Sequence, residues 1–145
     1  MLIAVTDQNR LPLHTISPGI TSADEEVILI LEASKANQVA EDHYKDDFWD
    51  GPDLFKLNAC LRFLKKSPAE PLELPIIYYN VHPHVRFCDG RHRTTALVDM
   101  GLKTVPVLTS KTIANGLVHL WGKKQTALDE YDFTNCTTKT ILGTV

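Results

Sequence analysis

Residues 85–108 read Val85-Arg-Phe-Cys-Asp-Gly-Arg-His-Arg-Thr-Thr-Ala-Leu-Val-Asp-Met-Gly-Leu-Lys-Thr-Val-Pro-Val-Leu108. The stretch predicts a strand, a tight turn, a helix, a glycine stop and a second strand. Val85 to Cys88 are strand-type residues, and Asp89-Gly90 breaks them. A helix is predicted over about 91–100, because Gly101 suits the left-handed residue that closes a helix. Thr104 to Leu108 then resume an extended apolar pattern. Pro106 has no N–H to donate, so this strand is expected at a sheet edge.

Working outward, Ile76-Ile-Tyr-Tyr79 is a strand by residue type and pairs with 85–88 as a hairpin. Upstream, Ser67 to Pro75 reads as a linker. Before it, a helix is predicted over about 52–66, with Pro52 in its first turn and Asp50 or Gly51 as cap. Leu54, Leu57, Leu61 and Leu64 fall on one stripe of it, with Phe55 and Phe63 beside them. Residues 41–53 are acidic and aromatic and read as a loop. The run Val27-Ile-Leu-Ile-Leu31 fits a buried strand by its β-branched content. It also follows Ser22-Ala-Asp-Glu25, which resembles a helix capping box. The strand reading is preferred, with a helix over about 34–43. Short strands are expected at 2–5 and 11–16, and a last helix at about 111–121. The tail from Gly122 has weak pattern and is expected to be less ordered.

The chain has 145 residues, 43% hydrophobic and 23% charged, with a formal net charge of −3. That length predicts one domain with a sizeable core. The mild acidity argues against a protein that coats DNA non-specifically, since such binders carry a basic surplus. It leaves room for a small cationic pocket. No apolar run reaches the roughly 18 residues of a membrane span. The first residues lack a basic segment and a long apolar one, so no secretory signal is expected and the location predicted is cytoplasmic. Cys60, Cys88 and Cys136 are odd in number and show no CxxC spacing, which predicts reduced thiols. Cys60 is expected on a buried helix face and Cys88 at a strand end.

The chemistry concentrates in the turn. Gly90 permits a conformation that a Cβ would resist and lets a ligand come close. The amides of Gly90, Arg91 and His92 would form a cup for an anion at the positive end of a helix. Arg91 and Arg93 are suited to bidentate phosphate contacts. His92 titrates near neutrality and is a candidate acid or base. Thr94 and Thr95 supply hydroxyls one turn on. Asp89 is a candidate helix cap, a positioner of Arg91 or His92, or the holder of a divalent cation. The candidate catalytic residues are Asp89, His92 and Arg93, and the candidate phosphate-binding residues run from Gly90 to Thr95.

The segment Phe87 to Val107 resembles the signature of the ParB/sulfiredoxin superfamily. Members carry a Gly-x-x-Arg or Gly-x-His-Arg turn that opens a helix, then a glycine stop and a Val-Pro-Val strand. The Asp89-Gly-Arg-His-Arg93 form is most similar to plasmid fertility-inhibition proteins. The likeness covers about 25 residues; elsewhere it rests on size and strand order, with Trp49-Asp-Gly51 in a loop before the predicted helix. It implies an α+β fold, a compact domain with a small mixed sheet flanked by helices, whose turn binds nucleotide phosphates. It further implies a nucleoside triphosphate, ATP or CTP, with Mg²⁺. The activity implied is NTPase or DNase, and the role is interference with conjugation on a plasmid. DNA or a protein of the conjugation apparatus is the implied partner. Sulfiredoxins place their reactive cysteine where this chain has Arg91, so sulfinic-acid repair is not expected. The helix-turn-helix domain of full ParB proteins has no room here. The alternative is a catalytically silent module that blocks a protein of the transfer apparatus.

Four further groups lie outside the turn. His82 and His84 flank Pro83 and would share one side of an extended segment, but no third metal ligand is apparent nearby. Asp46, Asp47, Asp50 and Asp53 could lend a carboxylate to a metal–nucleotide complex, although solvation and capping suit them better. Phe48 and Trp49 could stack on a base; anchoring of the loop in the core is the preferred role. His119 and Trp121 read as packing residues.

Overall fold

The run from Val27 to Leu31 lies in strand β2 (Glu26–Glu32), and all five of its side chains are fully buried. Burial on both faces explains why the run shows no alternation. Each such side chain contributes about 1.5–3 kcal/mol on leaving water. A computed structural model describes residues 2–66 and 69–145. In chain order, β1 (Ile3–Thr6), a helical turn α1 (Leu13–Ile16) and β2 are followed by α2 (Ala33–Asp46) and α3 (Leu54–Leu64). Next come β3 (Leu72–Glu73), β4 (Ile76–Val81), β5 (His84–Asp89), α4 (Arg91–Asp99) and β6 (Thr104–Ser110). The chain ends with α5 (Lys111–Asn115), a 3₁₀ turn (Val118–Leu120), α6 (Lys124–Glu130), β7 (Tyr131–Asn135) and β8 (Ile141–Leu142).

Two sheets carry these elements. Five strands in the order β5-β4-β6-β2-β8 form a mixed sheet, and β3-β1-β7 form a smaller one with parallel pairing. The architecture is α+β, with helices α2 and α4 packed together beside β5 and β6. The predicted hairpin is present as β4 and β5.

The strand carrying Pro106 is not at an edge. β6 lies between β4 and β2, and every residue of it is buried. Pro106 pairs with Ile30, whose carbonyl accepts from Gly122 on the far side. The position of Pro106 therefore asks for no donor toward β2. On its other side β4 joins only from Ile76, opposite Leu108. The missing N–H faces a level where no strand is paired, which is how a central strand tolerates proline.

Several boundaries differ from expectation. Residues 11–16 hold the turn α1 and not a strand, and Leu13 is its one buried residue. Ser22 starts no helix; its segment leads straight into β2. Helix α2 continues to Asp46, so the loop is only 47–53. Asp53, not Asp50 or Gly51, caps α3 by accepting from the amides of Phe55 and Lys56. Of the predicted leucine stripe only Leu57 is buried, because α3 lies on α4 at the periphery. Ser67 and Pro68 of the expected linker lie outside the described residues, and Leu72–Glu73 within it form β3. The helix expected over 111–121 stops at Asn115 and restarts as the 3₁₀ turn. Trp121 donates its indole N–H back to the Ala114 carbonyl, and His119 is exposed.

The tail after Gly122 is built into the fold. β7 pairs with β1, and β8 pairs with β2. Asp7, only 6% exposed, accepts from the amides and hydroxyls of both Thr137 and Thr138. Burial alone would raise the Asp7 pKa, but those hydrogen bonds outweigh it and hold the carboxyl below its usual range. The tail's pattern was weak because its partners lie more than a hundred residues away.

Helices α2 and α4 end alike. Gly101, at φ +86, lies one residue past the α4 cap, and the Gly101 and Leu102 amides bond back to Val98 and Leu97. At the end of α2 the Phe48 and Trp49 amides bond back to Lys45 and Tyr44 in the same way. The left-handed slot there is filled by Phe48, at φ +62. A Cβ in that region costs roughly 1–2 kcal/mol.

Candidate functional site

Asp89 ends β5, and the chain turns through Gly90 into α4. Gly90 is the N-cap of α4, at φ +95. A Cβ there would lie 2.7 Å from the Cα and Cβ of Pro75. The glycine is thus required twice, by conformation and by close approach of the preceding segment. It brings no side chain to cap the helix. The amides at the start of α4 open on a cleft of about 560 Å³ between α2, α3 and the turn. Its walls include Asp89 to Arg93 from the turn, His43 and Asp47 from the α2 end, and Lys56 and Cys60 from α3.

Tyr44 of α2 positions the motif. Its hydroxyl hydrogen-bonds with Thr95 Oγ1 at 2.8 Å. The Arg91 guanidinium lies 5.1 Å from the centre of its ring, and the His92 ring is tilted against it at 5.2 Å. Arg91 also pairs with Asp47. Its charge is therefore held in the cleft, by a cation–π contact below and a carboxylate beside it.

Two predicted roles are corrected. Thr94 and Thr95 are buried, at 0% and 7% exposure, and their hydroxyls turn back onto the carbonyls of Gly90 and Arg91. They stiffen the first turn of α4 and do not line the cleft. Asp89 neither caps α4 nor touches His92; it pairs with Arg93 at 3.0 Å. Arg93 also donates from Nε to the Glu73 carbonyl, so it ties the turn to β3. The acidic loop is likewise engaged: Asp46 pairs with Arg86, Asp47 with Arg91, and Asp53 caps α3.

His92 has a structural task. Its Nε2 accepts from the Asp53 amide at 3.0 Å, which joins the start of α4 to the start of α3. Burial lowers its pKa, and the charges of Arg91 and Lys56 lower it further. The neutral ring that accepts this bond is therefore the favoured form. His43, whose Nδ1 accepts from the Phe87 amide, is lowered for the same reasons, burial first and then Arg91. A depressed folded-state pKa means the unfolded chain binds more protons as pH falls below about 6.5, so stability falls through that window. His92→Gln keeps an acceptor but cannot titrate. Its loss of Tm between about pH 7 and 5 should be shallower than that of the unchanged protein, as calorimetry at stepped pH would show.

Two cysteines line the cleft, Cys60 from α3 and Cys88 from β5. Cys60 is half-buried, and burial pushes its thiol pKa up. Sequence spacing gave no signal for either, because 28 residues separate them and only the fold brings α3 over β5. Lys56 was missed for the same reason. His82 and His84 flank the β4–β5 turn, where His82 meets the edge of Tyr79 at 4.7 Å. Among the described residues no group of three His, Cys, Asp or Glu side chains is placed to hold a metal. None of the described helices is long and apolar enough to cross a membrane.

No protein-family model matches the chain, and no curated protein or solved structure is significantly similar to it. What the cleft does must therefore be read from its own chemistry. It offers helix-terminal amides, a held guanidinium and a lysine, with the carboxylates beside them already paired.

Proposed function

We propose that the protein binds a nucleotide or nucleic-acid phosphate at the start of α4, as a ParB/sulfiredoxin-like domain. The observation that carries this is the uncapped N-terminus of a nine-residue helix opening on a cleft with Arg91 and Lys56 in its wall. Unpaired amides and the helix dipole favour an anion there, and the guanidinium adds a charge-assisted bond. The ligand would be a nucleoside triphosphate, ATP or CTP, or a DNA phosphodiester. Asp47 competes with it for Arg91.

Hydrolysis is the reaction in view, with Asp89, His92 and Arg93 as its candidate residues. Of these, Asp89 is the carboxylate in the cleft wall with the greater exposure, 58% against 47% for Asp47. An Mg²⁺ ion carried in by the phosphates would have Asp89, once released from Arg93, as its protein carboxylate, and would supply charge neutralisation at the phosphoryl oxygens. The biological role proposed is interference with conjugative DNA transfer in the cytoplasm. One observation favours the second reading, a silent module that blocks a transfer-apparatus protein. The His92 Nε2 is occupied by the Asp53 amide, which removes a ready general base.

Titration calorimetry with ATP, CTP and inorganic phosphate tests the binding. Arg91→Ala should weaken it about tenfold or more, as expected for loss of a charged hydrogen bond. Asp47→Asn should tighten it, because the phosphate no longer displaces a carboxylate. If neither substitution moves the affinity, the phosphate is not at this cleft. Binding without release of nucleoside diphosphate or cutting of DNA, Mg²⁺ present, selects the silent module.

A further inference from the structure

Phe48 has no place in the core. Its side chain is 98% exposed, and its backbone occupies the slot that Gly101 fills at the end of α4. A bulky residue there costs stability, and among the described contacts nothing offsets the cost. Phe55 is 78% exposed, Leu54 69% and Trp49 41%. Phe48 and Trp49 lie in the loop between α2 and α3, and Leu54 and Phe55 open α3 directly after it. The loop is continuous with the cleft: Asp47, next to Phe48, and Lys56, next to Phe55, both line its wall.

Charge identifies the occupant. Residues 54–66 hold Lys56, Arg62, Lys65 and Lys66 and no acidic residue, in a chain whose net charge is −3. A second hollow of about 410 Å³ shares Ala59, Cys60 and Arg93 with the cleft, but Glu70 and Glu73 line that hollow, so phosphates beyond the first fall on the exposed surface of α3, where Lys56, Arg62 and Lys65 stand, and not in the hollow. From Lys56 to Phe63 the helix rises about 10 Å. Of the acids by the loop, Asp46 and Asp47 are paired with arginines and Asp53 caps α3, which leaves Asp50 as the exposed carboxylate beside the rings.

We infer that this surface takes a single-stranded nucleic acid, with one phosphate at the start of α4, neighbouring phosphates along basic α3, and bases stacked on Phe48 and Phe55. The inference rests on the phosphate site proposed above and names its ligand as a strand and not a free nucleotide. Exposed aromatic rings beside a cationic groove are the elements of sequence-tolerant single-strand binding. They also give a use to the aromatic ring at a position that suits glycine.

The test compares two fluorescein-labelled probes of about a dozen residues, a thymidine strand and a backbone of the same length without bases, by anisotropy at low salt. The expected result is tighter binding of the thymidine strand, with quenching of Trp49 fluorescence. Phe48→Gly and Phe55→Ala should each weaken it about tenfold and leave the baseless probe unchanged. Phe48→Gly should also melt no lower than the unchanged protein, which separates lost stacking from lost fold. Equal binding of the two probes, unaffected by either substitution, overturns the strand while leaving the phosphate site standing. That outcome would assign the aromatic rim to a protein partner. Binding of neither probe, nor of ATP, overturns both.

Discussion

Gly90→Ala should destabilise the protein by about 2–4 kcal/mol and abolish phosphate binding. Two costs combine. The left-handed backbone at φ +95 disfavours any Cβ. The methyl would also press on Pro75 at 2.7 Å, and Pro75 is fixed because its carbonyl accepts from Leu108 of the central strand. Relief requires the turn to move away from β4, which moves the α4 amides. Gly101 is the control: it has a similar φ, but nothing lies within 4 Å of an added Cβ. Asparagine tolerates the left-handed region. So Gly101→Asn should cost about 1 kcal/mol or less, whereas Gly90→Asn should be nearly as damaging as Gly90→Ala. Urea unfolding of the four proteins would measure the difference. Equal costs at the two glycines would mean that close approach to Pro75 plays no part.

The second large effect is expected at Asp7. Asp7→Ala removes the acceptor of two amides and two hydroxyls, with N–H donors at 2.8 Å from Thr137 and from Thr138. Leaving such groups unpaired should cost about 2–4 kcal/mol. The damage should begin at the C-terminal segment, so limited proteolysis should release β7 and β8 before the rest. Asp7→Asn keeps one acceptor oxygen and should cost less. The folded-state pKa of Asp7 is depressed, so its contribution is present above the unfolded value of about 3.8 and is lost as pH falls through the lower folded value. The tail should therefore hold at neutral pH and loosen only in acid.

Local signals were legible where one short segment carried the whole reason. Asp89-Gly90 turned the chain, Gly101 closed α4, and the β-branched run at 27–31 made a strand. The helix start that frames the proposed anion cup could be read as well, since a glycine turn announces it. Its working parts could not. Thr94 and Thr95 looked like ligands because they follow the arginines, yet the 3.6-residue period turns them to the buried side of α4. His92 looked free, but the start of α3 supplies it with an amide. Phe48 looked like a core anchor, and the Tyr44 carbonyl that closes α2 leaves it in solvent.

The sequence by itself determined the turn, because its dihedral and capping preferences act over a few residues. It likewise determined the central strand, because five consecutive apolar side chains must leave water together. Tertiary structure alone decided which groups face the cleft, why Pro106 is tolerated in the middle of a sheet, and that the tail is ordered. Each of these depends on a partner far along the chain: Asp53 for His92, Ile30 for Pro106, and Asp7 for Thr137 and Thr138. Hydrogen bonds and packing between distant segments have no local periodicity, so they become visible only when the sheets have formed.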